Sequence, residues 1–91
     1  MISPDEVKAM LEPAFSDAQI TVSDMTGSMD HFDIEIISPV FEGLTLIKQH
    51  RLVQQPLQAA LADGRIHAIA IKTYTPAQWK KSQGGGLNVL G

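Results

Sequence analysis

The fold is decided by Phe41-Glu42-Gly43 and Gln49-His50-Arg51-Leu52-Val53, two segments at the centre of the chain, together with two later segments. Gly43 predicts a tight turn, because glycine adopts positive φ at little steric cost. The basic segment that follows predicts the start of a helix carrying a histidine. The later segments predict a strand that opens on a second histidine and then a capped final helix; they are Ile66-His67-Ala68 and Thr75-Pro76-Ala77-Gln78-Trp79.

The N-terminal segment Ser3-Pro4-Asp5-Glu6 predicts the start of a first helix. Ser3 is a suitable N-cap, Pro4 suits the first helical position, and Glu6 closes a capping box. Helical spacing then predicts one buried face, formed by Val7, Met10, Leu11 and Ala14.

Two segments alternate between polar and apolar residues, from Gln19 to Asp24 and from His31 to Ser38. In the second segment one predicted face is apolar, with Phe32, Ile34 and Ile36, and the other is polar, with His31, Asp33 and Glu35. This pattern predicts a β-hairpin with its polar face open to water and with Thr26 to Asp30 as its loop.

After Gly43 the sequence predicts two helical pieces, roughly Thr45 to Gln49 and His50 or Arg51 to Ala62. The second piece has a predicted buried stripe of Val53, Leu57, Ala60 and Leu61. Pro56 lacks an N–H and clashes with the preceding turn. The second helix therefore either starts close to Pro56 or kinks there.

The remaining chain predicts a third strand from Ile66 to Tyr74 and a final helix anchored by Trp79. The predicted order is helix, strand, strand, helix, helix, strand, helix, in a single α+β domain. We place that domain at residues 1–83 and a flexible, glycine-rich tail at residues 84–91.

The composition narrows the classes of function. The chain has 91 residues, no cysteine and a net charge of −3. The absence of cysteine excludes disulfides, thiol catalysis and cysteine-ligated metal sites within the chain. There is no glycine-rich phosphate loop and no H-E-x-x-H motif, so we expect no enzymatic activity. We also expect a cytoplasmic protein, since no signal peptide and no apolar run of about 20 residues is apparent.

The quoted segments resemble those of the BolA family in residue type, order and spacing. The resemblance runs from about Ser3 to Lys81, and its most specific parts are Phe41-x-Gly43, His50-Arg51-x-Val53, His67-Ala68, Thr75-Pro76 and Trp79. It implies a three-stranded sheet with helices on one face, similar to the class II KH arrangement. It also implies a non-enzymatic adaptor that pairs with a monothiol glutaredoxin in iron–sulfur cluster handling or iron and redox sensing.

The family's cofactor is a [2Fe-2S] cluster shared with a glutaredoxin and glutathione, and not bound stably by the BolA-like protein alone. The histidine that opens the third strand is one ligand in the family, and His67 holds that position here. The other ligand is a Cys or His of the loop between the first two strands. Cysteine-type members place Cys near Ser28, so the nearest donor in this chain is His31. Two imidazoles on one iron have a precedent in Rieske centres.

Each histidine also has a purely structural interpretation. His67 can be a surface or packing residue, His31 an exposed residue at the end of a loop, and His50 a helix cap or hydrogen-bonding residue. The alternative roles of His50 are contact with the glutaredoxin and service as an alternate ligand. We expect the residues that bind the partner or a nucleic acid to be Lys48, His50, Arg51, Arg65, Lys72 and Tyr74. When alone, the protein is expected to be a monomer or a weak homodimer that does not bind membranes.

The alternative function is a DNA-binding transcriptional regulator that uses the two central helices as a helix-turn-helix. Lys48, Arg51 and Arg65 would contact phosphate, and glutamines such as Gln54 would face the bases. Carboxylates such as Asp63 next to these cations would weaken this alternative, because binding to phosphate depends on a positive surface.

Overall fold

The computed structural model describes residues 2–24, 27 and 31–81. The predicted order of elements is confirmed: α1 (Pro4–Leu11), β1 (Gln19–Asp24), β2 (His31–Ile37), α2 (Leu46–Gln54), α3 (Gln58–Ala62), β3 (Ala68–Tyr74), and α4, described over residues 76–81. Most of the predicted loop at 26–30 and the predicted tail at 84–91 lie outside the described residues.

Helix α1 begins with the predicted capping box. The Ser3 hydroxyl accepts from the Glu6 backbone N–H at 3.2 Å, and the Glu6 carboxylate accepts from the Ser3 backbone N–H at 3.0 Å. Val7 and Leu11 are fully buried, as their spacing predicted. The prediction for Ala14 was wrong: the α-helix ends at Leu11, a 3-10 turn containing Pro13 follows, and Ala14 is exposed there.

The capping box makes a testable prediction about the acid titration of Glu6. The Ser3 backbone N–H, followed by the Ser3 hydroxyl, stabilises the carboxylate and lowers the Glu6 pKa below its ordinary value of 4.5. A carboxylate with a lowered pKa stabilises the fold above its unfolded pKa, and this contribution is lost as pH falls through the folded pKa. We expect the Glu6 pKa to rise in Ser3→Ala, as measured by carboxyl NMR titration.

Thermal unfolding provides a second measurement for the same variant. At neutral pH, Ser3→Ala should unfold at a lower temperature than the wild type, and the gap should narrow at pH values below the Glu6 pKa. A Glu6 pKa that is unchanged in Ser3→Ala would contradict the assignment of the hydroxyl as a cause of the shift.

The three strands form a mixed sheet in the order β1-β2-β3. Strand β1 pairs antiparallel with β2, and β2 pairs parallel with β3. Two predicted bounds were wrong. Strand β2 ends at Ile37 because the Ser38 hydroxyl instead caps a 3-10 turn, accepting from the Val40 N–H at 3.2 Å. Strand β3 begins at Ala68, which is paired with His31, the first residue of β2. Ile66 and His67 therefore precede the strand.

The predicted faces of β2 are confirmed, and they divide the sheet into two sides. Phe32, Ile34 and Ile36 are fully buried on the apolar face, which is packed against α1 and α2. The other side is named the open face here; it comprises His31, Asp33 and Glu35 of β2 with their β3 neighbours Ala68, Ala70 and Lys72. All three of these β2 side chains are only half-buried, and Lys72 is exposed.

The predicted boundary between the two central helices was wrong. Helix α2 continues past His50 to Gln54, and the break comes at a 3-10 turn, Gln55–Leu57, which leads directly into α3. Pro56 explains the position of the break, because it has no N–H to donate to a regular helical ladder. The prediction that Pro56 interrupts the helical segment is therefore confirmed, with a new helix starting two residues later at Gln58.

Helix α4 begins with a second capping box. The Thr75 N–H donates to the Gln78 side chain at 2.9 Å, and the Gln78 N–H donates to the Thr75 hydroxyl at 3.1 Å. The Trp79 ring packs edge-on against Tyr74, with ring centroids 5.3 Å apart. Among the described residues, no helix has the length and apolar character needed to cross a membrane.

Candidate metal site and partner surfaces

The two predicted metal ligands, His31 and His67, lie side by side. Their ring centroids are 5.8 Å apart, and the rings are nearly perpendicular, at 76°. His67 is exposed and His31 is half-buried. The structure thus places two imidazoles side by side, one of them open to solvent.

The parallel pairing of β2 and β3 brings these histidines together. His31 is the first residue of β2 and is paired with Ala68, the first residue of β3. Because the strands run in the same direction, their first residues meet at one end of the sheet. His67 directly precedes Ala68, so its ring reaches the same end.

The open face next to the histidine pair carries a carboxylate and an ammonium group. Asp33 follows His31 on this face, and its Oδ2 lies 3.7 Å from Nζ of Lys72. Its other oxygen, Oδ1, is buried and has no hydrogen-bond partner within the described ranges. The predicted partner residue Lys72 therefore lies on the same side of the sheet as His31.

The donor set available from this chain is small. Across residues 2–24, 27 and 31–81, no group of three or more His, Cys, Asp or Glu side chains could hold a metal ion. The part of the β1–β2 loop that is described is Gly27, whose N–H donates to Asp24 Oδ1 at 3.0 Å. Ser28 lies outside the described residues, so the prediction about the loop ligand stays a prediction.

The remaining predicted partner residues are divided among several elements. Lys48 and Arg51 are exposed on α2, and His50 is half-buried on the same helix. Tyr74 ends β3 and packs against α4 through Trp79. These residues therefore lie on α2 and at the end of β3, and their joint contact with a partner stays a prediction.

Arg65 is paired with a carboxylate. Its Nε lies 2.9 Å from Oδ2 of Asp63 and 3.1 Å from Oδ1, and its backbone N–H donates to Oδ1 at 3.0 Å. The Arg65 backbone N–H is the main cause of the lowered Asp63 pKa, with the guanidinium adding to it. Asp63 thus neutralises one of the three cations that the DNA-binding alternative requires.

The two central helices follow one another through a single 3-10 turn, and the second of them, α3, has only five residues. No observation favours DNA as the ligand.

Gln49 is an important residue that the sequence reasoning missed. It is 7% exposed, and its amide NH₂ donates to the carbonyls of Phe41 at 3.3 Å and Leu44 at 2.9 Å. Its Oε1 accepts from the Thr73 hydroxyl. One buried amide thus joins the turn at Gly43, helix α2 and strand β3. Extending the buried stripe four residues back from Val53 would have identified Gln49.

This mixed sheet with helices on one face and a histidine pair at one end defines a small α+β protein of a known class. The BolA-like protein family model matches residues 11–78, and the chain belongs to this family. The fold comparison agrees: a bol-like protein from Babesia bovis superimposes with a TM-score of 0.78 at 31% identity, over 91% of this chain and 95% of that one.

Two relatives show how far the similarity extends. The acid stress protein IbaG of Escherichia coli is 35% identical over 79 residues, which cover 87% of this chain and 90% of that protein. A BolA-like protein of Dictyostelium discoideum is 46% identical over 63 residues, or 69% of this chain. The matched region is 55% of the Dictyostelium protein's length.

Proposed function

We propose that this protein is a non-enzymatic adaptor that pairs with a monothiol glutaredoxin and shares a [2Fe-2S] cluster with it. The observation that carries the proposal is the proximity of His31 and His67, at 5.8 Å between ring centroids, at one end of the sheet. Membership in the BolA-like family is the second support.

The donor set fits a shared cluster better than a cluster held by this chain alone. The chain has no cysteine, and the described residues offer two neighbouring imidazoles without a third metal-binding side chain. In this proposal His67 and His31 hold one iron, and the thiolates of glutaredoxin and glutathione hold the other. When bound, such a cluster supplies one-electron redox chemistry, and histidine ligation raises its reduction potential.

The protein's own part in this function is to position the two imidazoles. His31 is held by the pairing of β2 with β3, whereas His67 is exposed just before β3 begins. Each imidazole must be neutral at the nitrogen that binds metal, so binding releases protons and weakens in acid. We propose that glutaredoxin approaches along the open face, where Lys72 lies on the same side of the sheet as His31.

Anaerobic mixing with cluster-loaded monothiol glutaredoxin and glutathione tests this proposal. We expect the wild-type protein to change the visible absorption and circular dichroism of the cluster. In His67→Ala this change should be abolished, and in His31→Ala it should be strongly reduced, because each variant removes one imidazole ligand. Lys8→Ala is the control, since it removes an exposed side chain on α1 that is neither a predicted ligand nor a predicted partner residue, and it should behave as the wild type does.

Two results would contradict the proposal. The cluster spectrum could be the same with and without this protein, or His67→Ala could retain the full spectral change. Far-UV circular dichroism of each variant establishes that the fold is retained, so that a lost ligand is distinguished from a lost structure.

A further inference from the structure

We propose that the exposed side of helix α2 is a docking surface for a second protein, which presents an acidic helical segment with apolar anchors. This surface, named the α2 surface here, comprises Leu46, Ile47, Lys48 and Arg51 and the groove that follows them. The proposal does not depend on the histidine pair or on the glutaredoxin partnership.

Exposed apolar side chains are the first observation. Leu46 is 61% exposed and Ile47 is 66% exposed, in the first turn of α2. A single exposed aliphatic residue is ordinary on a protein surface. Two large ones in the first turn of one helix are less ordinary, because exposed apolar side chains that cluster mark sites of interaction.

Charge is the second observation, and it indicates the chemistry of the partner. Lys48 and Arg51 are exposed on the same helix, and the sequence contains no Asp or Glu between residues 43 and 62. Within the described residues neither cation has a carboxylate partner, whereas Arg65 is paired with Asp63. Such a surface is complementary to a segment that carries carboxylates beside its apolar residues.

A groove extends the α2 surface toward α3. It has a volume of about 500 Å³ and is lined by Arg51, Gln54, Gln55, Gln58 and Leu61. Arg51 lies one turn after Ile47, so the exposed apolar residues and the groove are continuous along the helix. Side-chain amides both donate and accept hydrogen bonds, so the groove suits the polar side of a peptide helix. Helix α2, with nine residues, is about 14 Å long at 1.5 Å per residue, or about two and a half helical turns.

The same features favour a protein over a nucleic acid as the ligand of the α2 surface. Binding to phosphate draws its affinity from several cations, and this surface offers Lys48 and Arg51. The exposed Leu46 and Ile47 would gain nothing beside a phosphate backbone. Against a partner helix their burial is favourable, at about 25 cal/mol for each Å² of apolar surface removed from water.

The α2 surface is remote from the histidine pair. Helix α2 packs on the apolar face of the sheet, where Gln49 meets Thr73, so its exposed side is directed away from the open face. Thr73 is five residues beyond Ala68, or about 16 Å along a strand that rises 3.3 Å per residue. A protein bound along the open face therefore leaves the α2 surface free for a second one.

The test is a titration of the ¹⁵N-labelled full chain with a designed peptide, followed by NMR. The probe is a synthetic helix with Leu and Glu on one side, and its matched partner has every Glu replaced by Gln. We expect the shift changes to fall on residues 46–58. Affinity should drop roughly tenfold for the Gln peptide, which loses its attraction to the two cations. The drop should be larger for the double variant Lys48→Glu/Arg51→Glu, because two attractions are replaced by repulsions.

Matched variants separate the apolar contribution to peptide binding from the charged contribution. Ile47→Ser should weaken binding, whereas Val40→Ser, which removes an exposed aliphatic residue outside α2, should not. Lys8→Glu, an exposed charge reversal on α1, is the control for Lys48 and Arg51. His67→Ala should bind the peptide as the wild type does, and Ile47→Ser should leave the cluster spectrum with glutaredoxin unchanged.

Three results would overturn the proposal. The first is no shift on α2 at millimolar peptide, or equal affinity for the Glu and Gln peptides. The second is a short DNA duplex that shifts the same residues at lower concentration than the peptide, which would assign the surface to nucleic acid. The third is concentration-dependent shifts on α2 without any peptide, which would assign the surface to a second copy of this chain.

Discussion

Replacing Gln49 by Leu is expected to lower the free energy of unfolding by about 3 kcal/mol, because several buried hydrogen bonds are lost at once. Leucine has a similar size but cannot donate to the carbonyls of Phe41 and Leu44. It also leaves the Thr73 hydroxyl without its acceptor. Each buried polar group left unpaired costs about 1–3 kcal/mol.

Urea unfolding of Gln49→Leu measures this loss, with Gln54→Leu as the control on the exposed side of the same helix. The control should change stability by about 0.5 kcal/mol or less. Adding Thr73→Val to Gln49→Leu should cost less than the two single changes together, since the two residues share a hydrogen bond. A loss below about 1 kcal/mol for Gln49→Leu would contradict its role in joining three elements.

The second large effect is expected for Phe32→Ala, which should lower the free energy of unfolding by about 3–5 kcal/mol. Phe32 has no exposed surface and is paired with Ile69 on β3 within the apolar core. Removing its ring leaves a cavity in a domain of 91 residues, where little other core can compensate. Phe32→Leu is the milder variant, and it keeps the effect measurable if Phe32→Ala is unfolded.

Glu35→Ala is the matched control for Phe32, because Glu35 lies on the same strand but on the open face. Glu35→Ala should change the free energy of unfolding by about 0.5 kcal/mol, the usual range for surface positions. Chemical unfolding of all three variants gives the comparison. An equal loss for Phe32→Leu and Glu35→Ala would contradict the assignment of the two faces of β2.

Local patterns in the sequence predicted much of this fold. Alternation assigned the faces of β2 correctly, since Phe32, Ile34 and Ile36 are all fully buried. The capping boxes at Ser3 and Thr75 were correct because each depends on residues only three positions apart. Element ends that depend on the tertiary context were less accurate. Helix α2 continues past His50 because nothing in the local sequence disrupts it before Pro56.

The prediction of the candidate site depended less on local patterns in the sequence. His31 and His67 were singled out by the family resemblance, and their proximity results from a parallel pairing between distant segments. Asp63 was named as a carboxylate that would weaken the basic surface, and it pairs with Arg65. The buried amide of Gln49 was missed, because its role depends on side-chain positions in the folded chain. The assignment of His31 and His67 as iron ligands remains a prediction.

The mixed pairing of the sheet has a consequence for the order of folding. Strands β1 and β2 are neighbours in sequence, and hairpins of this kind form in about 1–10 μs. The pairing of β2 with β3 must first close a long loop that contains the central helices, and this entropy cost slows the non-local contacts. Since His31 belongs to the early hairpin and His67 to the late strand, the histidine pair is assembled only when the chain has completed its fold. In a chain whose third strand has not yet paired with the second, His31 and His67 are therefore not held side by side.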